Sequence, residues 1–304
     1  MNDFRMKLRA VAIALVALPA MALSSAALAD ADSIDRRVPA DAAGHVVISN
    51  VSGSIDVRGW DRNEVQVTGT LGRNVERVDV ESSSGRTIVK VVLPRGSARD
   101  GDAEIEVQVP KNSSVEVSAV SADVSSRAVL GLQRLKSVSG EVTAEIAADE
   151  SEVRSVSGDV TVRGVGKPAS LRVSSVSGSL DVTNIGGSID LVTVSGDARL
   201  QATDISEIRG RTTSGSLELI GKLTRDGRVD VEGVSGDITI RLSAPGGLSA
   251  EIESFSGDIE GCLAKGVERV SKYGPGKRLT LRTVESGARV RAKTLSGDVE
   301  ICDR

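Results

Sequence analysis

Apolar and polar residues alternate along most of this chain beyond about residue 45. After Gly158, for example, Val160 and Val162 are apolar, whereas Asp159 and Thr161 are polar. Such alternation places successive side chains on opposite faces of a β-strand. Helical periodicity is absent and β-branched residues are abundant, so the sequence predicts an all-β fold.

One short phrase recurs: a usually apolar residue, then Ser, Gly, an acidic residue or Ser, and another apolar residue. Successive glycines of the phrase are 18, 20, 18, 19, 21, 21 and 40 residues apart, and the last spacing equals two periods of 20. Glycine favours turns. The predicted repeat turns are at Gly140, Gly158, Gly178, Gly196, Gly215, Gly236, Gly257 and Gly297. A degenerate copy surrounds Ala122, and an earlier copy around Gly53 stands apart.

The apolar positions of the phrase predict which side chains are buried. The residue two before Gly is apolar in seven of eight copies, with Thr213 as the exception. The residues two and four after Gly are apolar in nearly every copy. Read as one alternation, these positions share the buried face, while the Ser and the acidic residue point away from it.

Twenty residues leave room for two short strands per repeat. A fold with one phrase per turn is a parallel β-solenoid, here with about 20 residues per coil and coils about 4.8 Å apart. Its narrow core suits small aliphatic columns, which agrees with an aromatic content of 1%. An antiparallel sandwich and a propeller remain as alternatives, but a sandwich does not explain the period and a propeller blade needs about 40 residues.

The pattern divides the chain into three segments. Residues 1–29 are predicted to be a signal peptide, 30–115 a β-rich N-terminal cap region with an irregular period, and 116–304 the β-solenoid repeats. Terminal repeats of solenoids are atypical because an open end would template aggregation. Trp60 in the cap is interpreted as a plug for the end of the core, with a binding anchor as the alternative.

The signal peptide is predicted from three consecutive features. Basic residues at 5, 7 and 9 precede an apolar run over about 10–23, and small residues at Ala27 and Ala29 follow. This order is typical of a secretory signal cleaved after Ala29. No cysteine follows the run, so a lipid anchor is not expected. We expect export to the periplasm, or alternatively secretion or display on the cell surface.

Composition excludes several kinds of site. One histidine and two cysteines in the whole chain are too few for a histidine-rich metal site or a cysteine-cluster site. The net charge of −4, with both signs interspersed, gives no basic footprint for nucleic acid. We therefore expect no metal, no cofactor, no nucleic-acid partner and no membrane span.

The position after each glycine forms a mostly acidic column in the predicted stack. Calcium binding is one interpretation, but one carboxylate per coil offers too few oxygen ligands. The other is that Ser and Asp side chains bond backbone groups at the corner beside Gly. We favour the backbone role.

Cys262 and Cys302 each lie five residues after their glycine and so share a column. Two cysteines in an exported protein usually pair. Two coils apart, however, their Cα atoms would be about 9.6 Å apart, beyond the reach of a disulfide. A disulfide therefore requires that 263–294 form a bulging hairpin, which lets the coil of Gly257 touch that of Gly297.

The segment from Asn50 to Asp61, followed by the Ser-Gly-Asp repeats, resembles the putative adhesin family, a domain of unknown function in exported bacterial proteins. The resemblance covers most of the chain beyond the signal. It implies a fold of β-strand repeats and surface binding. The family defines no catalytic residues, so none is transferred to this chain.

We therefore expect no enzyme but a structural or adhesin-like binding protein of the cell envelope, whose partner is an unknown protein or glycan; self-association is also open. The alternative is a β-helix carbohydrate-active enzyme. That alternative needs clustered carboxylates, whereas here they are spread one per coil. A Ser–His–Asp site could use only His45, which has no nucleophile motif beside it.

Overall fold

The computed structural model describes residues 32–94, 101–263, 265–272, 274–283 and 287–303. Those residues form 22 β-strands and no helix, so the all-β prediction is confirmed. The signal peptide predicted over 1–29 lies outside the described residues.

The first strands combine parallel and antiparallel pairing. They are β1 (Asp32–Pro39), β2 (His45–Trp60), β3 (Glu64–Leu71), β4 (Arg77–Ser83), β5 (Arg86–Val92), β6 (Asp102–Pro110) and β7 (Ser114–Arg127). Strand β2 pairs in parallel with β5 and β6, and also with β7. Strands β1, β3 and β6 pair antiparallel in succession, as do β4 and β5. The region predicted as a cap thus carries the antiparallel strands that flank the first parallel layers.

The early copy of the phrase belongs to the same column as the later ones. Gly53 on β2 is the register partner of Ala122 on β7, and Ser54 pairs with Asp123. Strands β3–β6 separate β2 from β7 in the sequence, whereas β2 and β7 pair directly in the structure. The copy that stands apart in sequence is therefore adjacent to its relatives in space.

Strands in the middle of the chain pair in parallel with their equivalents in the next repeat. They are β8 (Gln133–Lys136), β9 (Val142–Ile146), β10 (Glu150–Ser155), β11 (Val160–Gly164), β12 (Pro168–Ser175), β13 (Leu180–Thr193), β14 (Ala198–Ser214), β15 (Leu217–Ser235) and β16 (Ile238–Ser243). Buried partners two residues after Gly follow one another as Val142, Val160, Leu180, Ala198, Leu217 and Ile238. These side chains belong to one continuous hydrophobic cluster.

The last strands are not stacked in sequence order. They are β17 (Leu248–Ser254), β18 (Ile259–Glu260), β19 (Glu268–Arg269), β20 (Lys277–Arg282), β21 (Ala288–Ser296) and β22 (Val299–Cys302). Strand β21 pairs in parallel with β15 on one side and β17 on the other, and β22 lies likewise between β16 and β18. The C-terminal repeat is thus inserted between two repeats that precede it. Strand β20 then adds antiparallel to β17, and β19 to β20.

The backbone at each corner glycine approaches the backbone of the neighbouring layer closely. These contacts follow the same order of layers as the strand pairing. A Cβ placed on Gly297 would lie under 3 Å from the carbonyl oxygen of Gly236, and one on Gly257 would meet that of Gly297 in the same way. All eight predicted glycines lie in bends. No residue larger than Gly fits this spacing without moving the neighbouring backbone.

Candidate functional site

The apolar residues two positions before the corner glycines lie on the surface. Their exposed fractions run from 42% at Val194 to 58% at Phe255. Val120, two positions before Ala122, and the apolar residues before the glycines form a set that we call the corner stripe: Val120, Val138, Val156, Val176, Val194, Val234, Leu295 and Phe255. Thr213 holds the equivalent position between Val194 and Val234. The prediction that these positions face the core is wrong. For the residues two and four after Gly the same prediction is confirmed, as Val160 and Val162 show.

The bend at each glycine breaks the two-residue alternation. Ser155 and Val160 are five residues apart, yet both are buried. In an unbroken strand an odd separation would place them on opposite faces. Residues 156–158 form a bend between two strands that both face inward, which leaves Val156 on the outside. Counting straight through the bend assigns Val156 to the wrong face.

Buried hydroxyl groups hold the corners, a role that the sequence analysis missed. Ser155 Oγ accepts a hydrogen bond from the Gly158 amide at 2.9 Å, and Thr193 Oγ1 donates one to the Gly196 carbonyl at 3.1 Å. Ser137, Thr212 and Ser254 make similar bonds. The buried column also includes Ser175 and Thr294, whose hydroxyl groups have no hydrogen-bond partner among the described residues. In the sequence, a Ser or Thr recurs three positions before Gly, and this recurrence could have identified the column. These bonds fix the bend that carries the stripe.

Acidic residues after the glycines bond the backbone of the next layer. Asp159 Oδ1 accepts a hydrogen bond from the Ser179 amide at 2.8 Å, and Asp197 Oδ1 accepts one from the Ser216 amide at 2.8 Å. Equivalent bonds are made by Asp123, Asp237 and Asp298. The backbone role favoured from the sequence is confirmed for these acidic residues. These carboxylates therefore align the layers along one side of the corner stripe.

The corner stripe ends in a pocket of about 550 Å³. Val234, Leu295 and Phe255 line it from three adjacent layers, and Val270 with Pro275 lines it from the segment before β20. The charged residues of its lining are Glu232, Glu253, Lys277, Arg278 and Lys293. Its volume is that of a site for a small ligand or a large side chain.

Two carboxylates have lowered pKa values. The hydrogen bond from Lys293 holds the pKa of Glu253 below its ordinary value of 4.5, against the opposing effect of burial. Burial alone would raise the pKa of Asp56, but hydrogen bonds from Arg58 and Arg127 outweigh it and lower the value. Both shifts favour the ionised form, the opposite of what a general acid needs at neutral pH.

Cys262 and Cys302 form a disulfide with their Cα atoms 5.0 Å apart. They lie one layer apart, because β18 pairs directly with β22. The bulging hairpin expected over 263–294 is wrong, because β20 pairs with β17 instead of β21, and β21 lies between β15 and β17. The expected contact between the layers of Gly257 and Gly297 is confirmed.

Parallel pairing brings a serine and a carboxylate to the sole histidine. Ser114 Oγ lies 2.9 Å from His45 Nδ1, and Glu116 Oε2 lies 3.8 Å from His45 Nε2. This cluster could not be predicted from sequence, since β2 and β7 are distant in the chain. The Glu116 carboxylate also faces Lys136 Nζ at 3.4 Å. The contacts join β2, β7 and β8 on an outward face.

Trp60 does not plug the core. Its ring is half-buried at the end of β2, and its Nε1 donates a hydrogen bond to the Glu64 carbonyl at 2.9 Å. The guanidinium of Arg62 lies 4.9 Å from the ring centroid. The ring is thus engaged locally, by a backbone acceptor and a cation–π contact.

The described residues include no helix that could span a lipid bilayer.

Solved structures with similarity to this chain include three bacterial proteins. One is described as a "putative cell adhesion protein" from Clostridium sporogenes, at 11% identity over 90% of this chain and 100% of that one, with a TM-score of 0.23. A "putative lipid binding protein" from Parabacteroides distasonis shares 12% over 89% and 97%, with a TM-score of 0.40. A "putative adhesin" from Bacteroides fragilis shares 9% over 90% and 97%, with a TM-score of 0.34.

No curated protein matches the chain. Residues 46–302, however, match the family model described as Toastrack DUF4097. The match covers β2 to β22 and so includes the corner stripe, the disulfide and the inserted C-terminal repeat. The resemblance to the adhesin family is confirmed, and this chain belongs to the Toastrack DUF4097 family.

Proposed function

We propose that this protein is an exported, non-catalytic binding protein of the bacterial cell envelope, with an adhesin-like role. The observation that carries the proposal is the corner stripe: eight apolar side chains, each more than two-fifths exposed, in one column with a single polar interruption at Thr213. Scattered exposed apolar residues are ordinary, whereas a contiguous apolar patch marks an interaction surface. We assign the stripe as the surface that contacts the partner.

The proposal includes a regular parallel β-solenoid of about 20 residues per coil. Register partners two residues after Gly support it, since they are separated by 18 to 21 residues from Val142 to Ile238. Parallel strands lie about 4.8 Å apart. Successive stripe residues would then stand at that spacing and form an apolar ridge, which exposed Thr213 interrupts between Val194 and Val234.

The chemistry of the stripe favours a protein partner over a glycan. Aliphatic side chains bury apolar groups, whereas sugar recognition relies on polar contacts and stacking on aromatic rings. The pocket beneath Phe255 and Leu295 is large enough to receive one apolar side chain of that partner.

Export is supported by the signal pattern of the first 29 residues and by the disulfide. We place the protein in the periplasm, with secretion or surface display as the alternatives.

Capture of envelope proteins tests the proposed surface. The variant Val156→Lys/Val176→Lys places two charges within the stripe, and Val165→Lys changes an exposed valine outside it. Immobilised wild type and Val165→Lys should retain the same envelope protein, and the stripe variant should lose it. Melting temperatures of all three establish that they are folded. Equal capture by the stripe variant would refute the stripe as the binding surface.

A further inference from the structure

Outward charges on the strands that precede the corners alternate in sign from layer to layer. One column of register partners reads Glu116, Arg134, Glu152, Arg172, Asp190, Arg209, Asp230, Arg291 and Glu251. Opposite charges on neighbouring strands attract one another. The rule in this column is therefore that each arginine lies beside acids.

The column two residues earlier breaks this rule. Arg228 on β15 is the register partner of Arg289 on β21, which pairs with Ser249 on β17. Ser249 pairs in turn with Arg282 on β20. The three arginines are exposed. Among the residues that the structure describes, none of the three has an acidic oxygen within 4.0 Å or a hydrogen-bond partner.

This column borders a groove of about 610 Å³. Its charged and hydroxyl lining residues are Glu207, Arg209, Arg228, Asp230, Ser249, Glu251, Arg289 and Arg291. Glu207, the register partner of Arg228, is already bonded to Arg209 at 2.7 Å. Asp230 and Glu251 flank Arg291. The lining holds four arginines against three acids, and among the described residues no acidic oxygen lies within 4.0 Å of Arg228 or Arg289.

Adjacent like charges on neighbouring strands destabilise a sheet. A bound anion would remove that cost. The strands that carry Arg228 and Arg289 lie about 4.8 Å apart, so both guanidinium groups can donate to one anion, and guanidinium N–H groups suit the oxygens of phosphate or sulfate. The Ser249 hydroxyl between two of the arginines supplies another donor.

We propose that Arg228, Arg289, Ser249 and Arg282 form a binding site for a phosphate or sulfate group. The site lies on the outward face of β15, β21, β17 and β20, and its residues are not those of the corner stripe. The ligand is either the free oxyanion or the same group carried on a polysaccharide. The site exists only because β21 is inserted between β15 and β17, which brings Arg289 beside Arg228.

Binding measurements on the purified full chain test the site. Inorganic phosphate and sulfate are titrated by calorimetry, and labelled heparin, a sulfated polysaccharide, by fluorescence anisotropy at low salt. Arg289→Ser should weaken binding about tenfold. Arg163→Ser should leave the affinity unchanged, since it removes one exposed arginine from β11 that has no ion-pair or hydrogen-bond partner in the described part of the chain. Binding of the small anions indicates the free ligand, and binding of heparin alone indicates the polymer.

Thermal melting separates a ligand site from a structural one. Without ligand, Arg289→Ser should melt at the wild-type temperature or higher, since it relieves repulsion from Arg228. The proposal is overturned if Arg163→Ser weakens binding as much as Arg289→Ser, if no probe binds the wild type, or if Arg289→Ser lowers the melting temperature by several degrees.

Discussion

The amide N–H of Asp298 donates a hydrogen bond to Asp237 Oδ1 at 3.0 Å, although the two residues are 61 positions apart. On its other side, Asp298 Oδ1 accepts a hydrogen bond from the Asp258 amide at 2.7 Å. The C-terminal repeat is therefore held between two layers that come before it in sequence. An internal position gives it two pairing partners, whereas a terminal repeat would have one.

Loss of the disulfide should loosen this inserted repeat. The Cys262→Ser/Cys302→Ser variant removes a crosslink that closes a 40-residue separation, and such crosslinks typically contribute about 2–4 kcal/mol. We expect a lower free energy of unfolding. Amide hydrogen exchange should rise first in β18 and β22, with β9 and β11 unaffected. Faster exchange spread evenly over the chain would contradict a local role.

A side chain at a corner glycine should disrupt the stack. Gly196→Ala places a Cβ against the carbonyl oxygen of Gly178, at a distance under 3 Å. We expect destabilisation of about 1–3 kcal/mol in chemical denaturation, because the neighbouring layer must move. Gly276→Ala is the matched control, since its Cβ would make only an ordinary contact with Val270. Equal stability of both variants would argue against close approach at the corner.

The core columns and the repeat could be predicted because they depend on local alternation. Val160 and Val162 are buried as their period requires. Val156 was assigned wrongly because the alternation was counted through a bend that is itself a tertiary feature. A hydroxyl residue recurs three positions before Gly, as Ser155 does before Gly158. Only the fold shows that the side chain at this position faces inward.

The insertion could not be predicted from periodicity, since spacing along the chain does not determine order in the stack. A spacing of 40 residues between Gly257 and Gly297 fits two regular coils as well as it fits an excursion. The alternation of charge sign along the column indicates the insertion more strongly than the spacing of glycines does. Arg291 alternates in sign with Asp230 and Glu251 only when it lies between them. The pair Arg228 and Arg289 could not be predicted for the same reason, since the two residues become neighbours only when β21 lies between β15 and β17.

Acidification should weaken the C-terminal layers through Glu253. Its pKa in the folded protein lies below the ordinary value of 4.5, chiefly because of the hydrogen bond from Lys293. A lowered pKa means that the ionised group stabilises the fold above the unfolded value, and that this contribution is lost as pH falls through the folded value. The melting temperature should therefore fall between about pH 5 and pH 3.

The Glu253→Gln variant isolates this effect. Its melting temperature should be lower than that of the wild type at neutral pH, and the difference should shrink on acidification. Glu81→Gln, which changes an exposed carboxylate on β4, is the control and should follow the wild-type profile. A constant difference between Glu253→Gln and wild type across the pH range would rule out titration of Glu253 as the cause.

The Ser114–His45 contact should be structural. A hydrolytic serine needs a general base within hydrogen-bond distance, a third group that orients this base, and a substrate site beside the serine. Here Glu116 is shared with Lys136, and the three side chains lie on an outward strand face. Ser114→Ala should cost about 1 kcal/mol of stability through the lost hydrogen bond. Neither it nor the wild type should hydrolyse p-nitrophenyl esters. Turnover by the wild type that Ser114→Ala and His45→Gln both abolish would overturn the non-catalytic proposal.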